Sequence, residues 1–355
     1  MTSTSKRNSR RSSWRLLLVA FIVGLYLFAY MKSWPYIITG PGSAEPLHAR
    51  VETGHDVEQK GQFLFTTVSS RSKPNLFSLI YAKLNPRMDI QSQQKATGGT
   101  TNLDAYRNLL AWMRDSSENN ALLAAYRTMD KKIDVEEQGV IVVSLLEGSK
   151  ARQSGLQEGD IITRLDGKET LTFESFYDYV SAKKPGDTIK VTGKRGDKPF
   201  EATIPLIQLD DGRTGIGFQR DMVLKVTPPD PVKFDFDDIG GPSAGLMMTL
   251  EIVSQLTDED LTKGYKIAGT GTIAADGKVG QIGGINYKLM AADREHADYF
   301  LVPYSGDFSN WKLAEETVKD LKLTPKLVKV ATLADAVKFL KELQANQSPQ
   351  PIKHA

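Results

Sequence analysis

Apolar and polar positions divide the chain into an N-terminal run and a long mixed remainder. Leu16 to Met31 reads LLLVAFIVGLYLFAYM, without a charge, and follows a stretch where Lys6, Arg7, Arg10, Arg11 and Arg15 are basic and no acid occurs. As a helix those residues span about 24 Å, slightly short of a bilayer core of about 30 Å. Trp14, Trp34 and Tyr36 flank the run as interfacial aromatics and extend its reach. The pattern predicts a basic segment over 1–15 and one transmembrane signal anchor over 16–36. The charge bias places the N-terminus in the cytoplasm and the rest outside the cell membrane. A cleaved signal peptide is the rival reading, but no small-x-small site directly follows Tyr30.

Further on, GPGSAEP at 40–46 reads as a linker. Gly61 to Ser70, GQFLFTTVSS, is aromatic and β-branched and predicts a strand. Lys73 to Pro86 carries Leu76, Ile80 and Leu84 at helical spacing. A longer helix is expected over 103–130, with Leu109, Leu110 and Met113 on one face. Strands are expected over Val140–Leu145 and Asp160–Leu165. An amphipathic helix over Leu171–Ala182 bears the stripe Phe173, Phe176, Tyr177 and Val180. Two strands then close around KRGDK. The tail after Leu343 is polar and predicts disorder.

Composition narrows the classes. A chain of 355 residues suits two domains, and a net charge of +2 argues against a dedicated nucleic-acid binder. The chain has no cysteine, which excludes a disulfide scaffold, a thiol nucleophile and a Cys-built metal site. The four histidines, His48, His55, His296 and His354, are scattered, which argues against a His-built metal centre. No G-x-x-x-x-G-K-[ST] stretch occurs, so no nucleotide is expected as partner and no cofactor is called for.

Residues 139–206, above all GSKARQSGLQEGDII, resemble the PDZ domains attached to bacterial proteases. The resemblance implies that a peptide C-terminus adds as a strand between the first strand and the long helix. That assigns a groove to Gly139, Val140 and Ile141 on one side and Phe176 and Val180 on the other. The loop before that strand reads EQGVIV, where such domains commonly carry Gly-Leu-Gly-Phe.

Ser243 lies in Gly-Pro-Ser-Ala-Gly, which satisfies G-x-S-x-G. A hydrolase elbow also needs an apolar strand before the serine and a histidine base. VKFDFDDIGG precedes it, and downstream histidines are only His296 and His354, so a Ser–His–Asp triad fits poorly. Lys288 is the other candidate base. At helical spacing its neighbours are Gly284, Ile285, Ala291 and Ala292, small or apolar groups that can desolvate an amine and favour its neutral form. A neutral lysine can take the serine proton. A solvated lysine and an ordinary helix start are the bland alternatives.

GGPSAGLMMTLEIVSQL followed by IAGTGTIAADGKVGQIGGINYKLMAA resembles the proteolytic domain of Lon-type serine peptidases, with the serine-to-lysine separation 288 − 243 = 45. The resemblance implies that Ser243 is the nucleophile, Lys288 the general base and Thr270 the residue that positions the amine. Gly241, Pro242 and Ala244 support the serine, with free amides at the helix start available to an oxyanion. GGINYK departs from the family, whose members often place charges before the lysine.

The whole arrangement resembles the SepM/YlbL family of bacterial surface proteases. It implies an α+β architecture: the N-terminal part of the protease over 45–125, a PDZ-like domain over 131–208, the Lon-type catalytic domain over 209–345 and a disordered tail over 346–355. Insertion of the PDZ-like unit into the protease and simple tandem order both remain open. The implied function is a membrane-anchored, ATP-independent serine endopeptidase of peptides or exposed protein segments, with a secreted signalling peptide (a pheromone) as candidate substrate. The alternatives are a peptide-binding surface adaptor with an inactive protease segment, and a signal-peptidase-like enzyme acting at the bilayer.

Overall fold

The computed structural model describes residues 5–346 apart from 56, 101, 307 and 308. The first four residues and most of the tail expected to be disordered lie outside the described residues. The chain forms two compact units, one of Met1–Pro41 and Val68–Gly99, the other of Gly42–Thr67 and Thr100–Ala355.

In the first unit, α1 (Ser5–Met31) carries the apolar run, and its large side chains from Leu16 onward are exposed. Among the described residues, no helix is long and apolar enough to cross a membrane. The expected anchor over 16–36 also ends early. Pro35 lacks an amide and pushes Trp34 out of helical geometry. Tyr36 already opens β1 (Tyr36–Pro46). β2 (Gln62–Ser72), like β1, has residues in both units. α2 (Leu76–Leu84) starts where Asn75 Oδ1 accepts from the Ser78 amide at 2.9 Å, and it leaves Phe77, Ile80, Tyr81 and Leu84 exposed. β3 (Asp89–Ser92) pairs antiparallel with Tyr36–Thr39 of β1.

GPGSAEP is not a linker: all but its first two residues belong to the second unit, and the whole stretch lies in β1. Gly42 is there for close approach, since a Cβ would lie 2.3 Å from Thr67 Oγ1. Ala44 is buried.

The long helix α3 (Leu103–Thr128) leads into the PDZ-like part of the second unit: β4 (Asp134–Leu145), β5 (Asp160–Leu165), α4 (Phe173–Ser181), β6 (Thr188–Arg195), β7 (Lys198–Pro205) and β8 (Phe218–Thr227). The strands run in the order β8–β4–β5–β6–β7. The sheet thus takes its edge strand from beyond residue 208. Val140, Val142, Leu156, Ile162, Ile189 and Ile204 fill the core beneath α4. Inside it, the buried Asp160 carboxylate accepts from Arg195 Nε at 2.7 Å and Nη2 at 2.8 Å, a two-pronged pair that offsets its burial.

The remaining elements are α5 (Gly245–Leu256), β9 (Lys266–Gly269), β10 (Thr272–Ile273), β11 (Val279–Gly280), α6 (Ile285–Arg294), β12 (Tyr299–Pro303), α7 (Ser309–Leu321), β13 (Lys326–Val330) and α8 (Leu333–Glu342). β13, β12, β9 and Gln62–Phe65 of β2 are parallel neighbours in that order. This sheet draws strands from both sides of the PDZ-like segment. Alternate residues face opposite layers. Phe63, Phe65, Ile267 and Leu301 pack with α3, α5 and α8, while Leu64, Ala268, Phe300 and Val302 pack with α6 and α7. The structure is mixed α and β: the antiparallel PDZ-like sheet stands beside this sheet, whose parallel strands need crossover helices that cover both its faces. Every residue of α5 is buried, so this helix shows no polar face.

Candidate active site

Three elements bring the site together. α6 begins at Gly284, whose φ of +71° suits glycine, and Lys288 follows one turn later. Packing by Ile285, Leu289, Ala291 and Ala292 carries the Lys288 side chain inward until only 3% of the residue is exposed. Its Nζ lies 2.7 Å from Ser243 Oγ, 3.1 Å from Thr270 Oγ1 and 2.9 Å from the Thr66 carbonyl. None of these partners is anionic. Burial therefore acts unopposed and lowers the lysine from its ordinary 10.5 to about 7.

Hydrogen-bond arithmetic fits the neutral amine, which has two N–H donors and one lone pair. The Thr66 carbonyl can only accept. Thr270 gives its own hydroxyl proton to the Ser243 carbonyl at 3.0 Å, so its oxygen accepts from the amine. Both donors are then used, and the lone pair is left for the Ser243 hydroxyl.

The serine sits in the turn before α5. Its carbonyl also accepts from the Gly271 amide at 2.9 Å, and the Gly271 carbonyl accepts from the Leu246 amide at 3.0 Å. α3 fastens the other side of the turn. Leu110 O accepts from the Gly241 amide at 3.0 Å, and Ser117 Oγ donates to Pro242 O at 3.0 Å. Arg114 donates to the carbonyls of Phe236 and Asp237. Asp238 pairs with Arg50 at 2.9 Å, so this acidic stretch orders the loop. A Cβ on Gly245 would lie 2.8 Å from Ser117 Oγ, which fixes glycine where α5 meets α3. The amides of Ser243 and Ala244 have no backbone acceptor among the described residues.

The sequence singled out Ser243, Lys288 and Thr270, and the structure brings all three together, with Gly241, Pro242 and Ala244 around the serine. It did not locate Thr66, which acts through a backbone carbonyl, nor Leu110, Arg114 and Ser117 on a distant helix. Of the histidines, His48 pairs with Glu251 at 3.0 Å and His55 with Asp258 at 3.4 Å, and no described histidine contacts Ser243.

A cleft of about 580 Å³ runs past Pro242, lined by Trp112, Met113, Val143, Ile273 and Val279. Val143 belongs to β4, so the PDZ-like sheet forms part of the wall beside the serine.

The expected peptide groove needs correction. Val140 and Ile141 pair with β5 on one side and, with Gly139, pair with β8 on the other, so no open edge remains at Val140 or Ile141. Val140 and Ile141 are fully buried. The open edge is that of β8. There a groove of about 550 Å³ lies between α4, at Phe176 and Val180, and Gly215–Arg220. Gly215-Ile216-Gly217-Phe218 lines this groove and has the Gly-x-Gly-Phe pattern that EQGVIV lacks. Gly217 has φ +86°, and a Cβ there would lie 2.5 Å from Ser149 Cβ.

Residues 121–206 match the PDZ domain family. A Lon protease of Elusimicrobium minutum is 32% identical over 173 residues, covering 46% of this chain and 20% of that protein. One from Clostridioides difficile is 33% identical over 162 residues, covering 42% and 18%. Among solved structures, the PDZ domain of an SdrC-like protein from Listeria monocytogenes is 38% identical over 24% of this chain and 92% of that one, with a TM-score of 0.23. The chain spans about a fifth of the length of the Lon relatives it matches. It carries a PDZ domain and, over a little less than half its length, is a homologue of Lon proteases.

Proposed function

We propose that the protein is a serine endopeptidase in which Ser243 is the nucleophile and Lys288 the general base. The observation that carries this reading is the 2.7 Å contact between Ser243 Oγ and a buried lysine amine that has no anionic partner. The neutral amine takes the hydroxyl proton as Oγ bonds to the substrate carbonyl carbon, and the carbonyl electron pair moves onto oxygen. The Ser243 and Ala244 amides supply the donors for that oxyanion. As the C–N bond breaks, the Lys288 ammonium returns its proton to the departing amine. Water then attacks the acyl group, gives a proton to Lys288, and the serine is released with its proton restored. Thr66 O and Thr270 Oγ1 hold the amine on the serine throughout.

The β8–α4 groove takes a peptide C-terminus and presents the segment for cleavage, and no nucleotide is required. The substrate is an extracellular peptide or exposed protein segment, with a secreted signalling peptide as candidate. The exposed apolar side chains of α1 and α2 support association of the first unit with a cell membrane. Fractionation of cells making the full chain tests that part, and recovery in the soluble fraction argues against it.

Mass spectrometry of a peptide library, digested without ATP by the wild type and by the Ser243→Ala and Lys288→Ala variants, tests the chemistry. Cleavage by the wild type alone is expected. Binding without turnover by the wild type would favour a peptide-binding adaptor.

A further inference from the structure

The groove beside β8 holds a positive charge with no ion pair among the described residues. Its lining holds two cations, Arg213 and Arg220, and no carboxylate. Arg213 is tied to Asp211 by two hydrogen bonds of 2.8 and 2.5 Å. Arg220 has no ion pair among the described residues. Its guanidinium lies over the Phe173 ring, 4.0 Å from the centroid, and 5.9 Å from that of Phe176. The acids nearby are committed elsewhere. Glu137 accepts from the Phe173 amide at 3.0 Å. Asp221, next along β8, lines the cleft beside Pro242 on the opposite face of the strand. Burial and the neighbouring Arg213 push Arg220 below its ordinary value, against an opposing pull from Asp221.

Register tells where that partner comes from. A peptide whose carboxylate sits at Gly215–Phe218 and which pairs with β8 runs antiparallel to it, and its side chains alternate between faces. Phe218 and Arg220 share the α4 face, about 7 Å apart. The terminal side chain therefore enters the apolar pocket of Phe176, Val180, Ile216 and Phe218. The side chain two residues earlier comes level with Arg220 over Phe173. We infer that the groove selects peptides with an acidic residue two positions before the C-terminus, paired to Arg220. This rests on the reading of the groove as a C-terminus site.

The test is fluorescence anisotropy with the full chain carrying Ser243→Ala, so that peptides stay intact. The probes are fluorescein-labelled peptides ending in Ser-Asp-Ala-Val, Ser-Asn-Ala-Val and Ser-Lys-Ala-Val, and the first as its C-terminal amide. The Asp peptide should bind about tenfold more tightly than the Asn peptide, and the Lys peptide more weakly than either. Arg220→Gln should bind the Asp and Asn peptides equally, and Arg220→Glu should prefer the Lys peptide. Retained binding of the Asn peptide by Arg220→Gln shows that the groove is intact. Equal binding of the three free-acid peptides by the wild type overturns the inference and leaves the groove reading standing. Equal binding of the amide and the free acid, or binding of none, overturns the groove reading and the inference with it.

Discussion

Ser117 on α3 donates its hydroxyl to the carbonyl of Pro242 at 3.0 Å, across 125 residues of sequence. The turn that holds Ser243 is therefore set by a helix on the far side of the PDZ domain in sequence. Ser117 is buried, and Ser117→Ala leaves the Pro242 carbonyl without this partner, at a cost of about 1–2 kcal/mol. The turn loosens by a fraction of an ångström, enough to lower kcat about tenfold with KM little changed. Steady-state kinetics beside a thermal melt check this. Unchanged kcat with a lowered Tm would make the contact purely structural.

In the proposed mechanism Lys288 sets a pH dependence of rate. Catalysis needs the free amine, so kcat/KM should rise with pH, tenfold per unit below about 7, and level off above it. A profile that is flat between pH 5 and 9 would remove the lysine from the role of base.

The same amine sets a pH dependence of stability. Its folded value, about 7, lies below its ordinary 10.5. Below 7 both states hold the proton, and the folded state bears the full cost of burying the ammonium. Between 7 and 10.5 only the unfolded chain holds it, so stability should rise with pH, by about 1.4 kcal/mol per unit. Denaturant titrations of wild type and Lys288→Met across that window check the sign, since the variant should lack this slope.

Thr270→Val removes an acceptor that favours the ammonium and the hydroxyl that steadies the Ser243 carbonyl. The kinetic pKa should fall and kcat should drop about tenfold or more, with Thr270→Ser restoring both. A pH–rate profile of the two variants decides.

What the sequence disclosed and what it hid divide along physical lines. Ser243, Thr270 and Lys288 stand in stretches whose residue types announce them. α3, α4 and β5 show their own periodicity and fall within two residues of expectation, while β4 ends where expected but starts six residues earlier, at Asp134. Thr66 contributes a carbonyl, which every residue has, so no side-chain pattern marks it. Gly42 and Pro41 read as turn-formers, yet here glycine serves a strand pressed against Thr67. The groove was misplaced because strand order is a matter of long-range pairing. β4 looks like an edge until β8, 73 residues further along at the Phe218–Leu145 pair, covers it. The signal was present in Gly-Ile-Gly-Phe, but beyond the segment that carried the PDZ resemblance.

Gly217 gives the sharpest test of the corrected groove. Its φ of +86° disfavours any side chain, and a Cβ would press to 2.5 Å from Ser149 Cβ. Gly217→Ala must therefore move the loop that begins β8, at a cost of about 1–3 kcal/mol. Gly139→Ala is the control, because it too sits at positive φ, at +137°, and its Cβ would lie 2.7 Å from the Ile162 carbonyl, but it is paired to β8 and lies away from the groove. Both variants should lose comparable stability. Only Gly217→Ala should lose binding of a free C-terminal peptide by tenfold or more, while cleavage of a short peptide blocked at its C-terminus continues in both. Calorimetry of peptide binding at a temperature where both variants remain folded separates the two. Equal loss of binding in both would return the groove to the neighbourhood of β4.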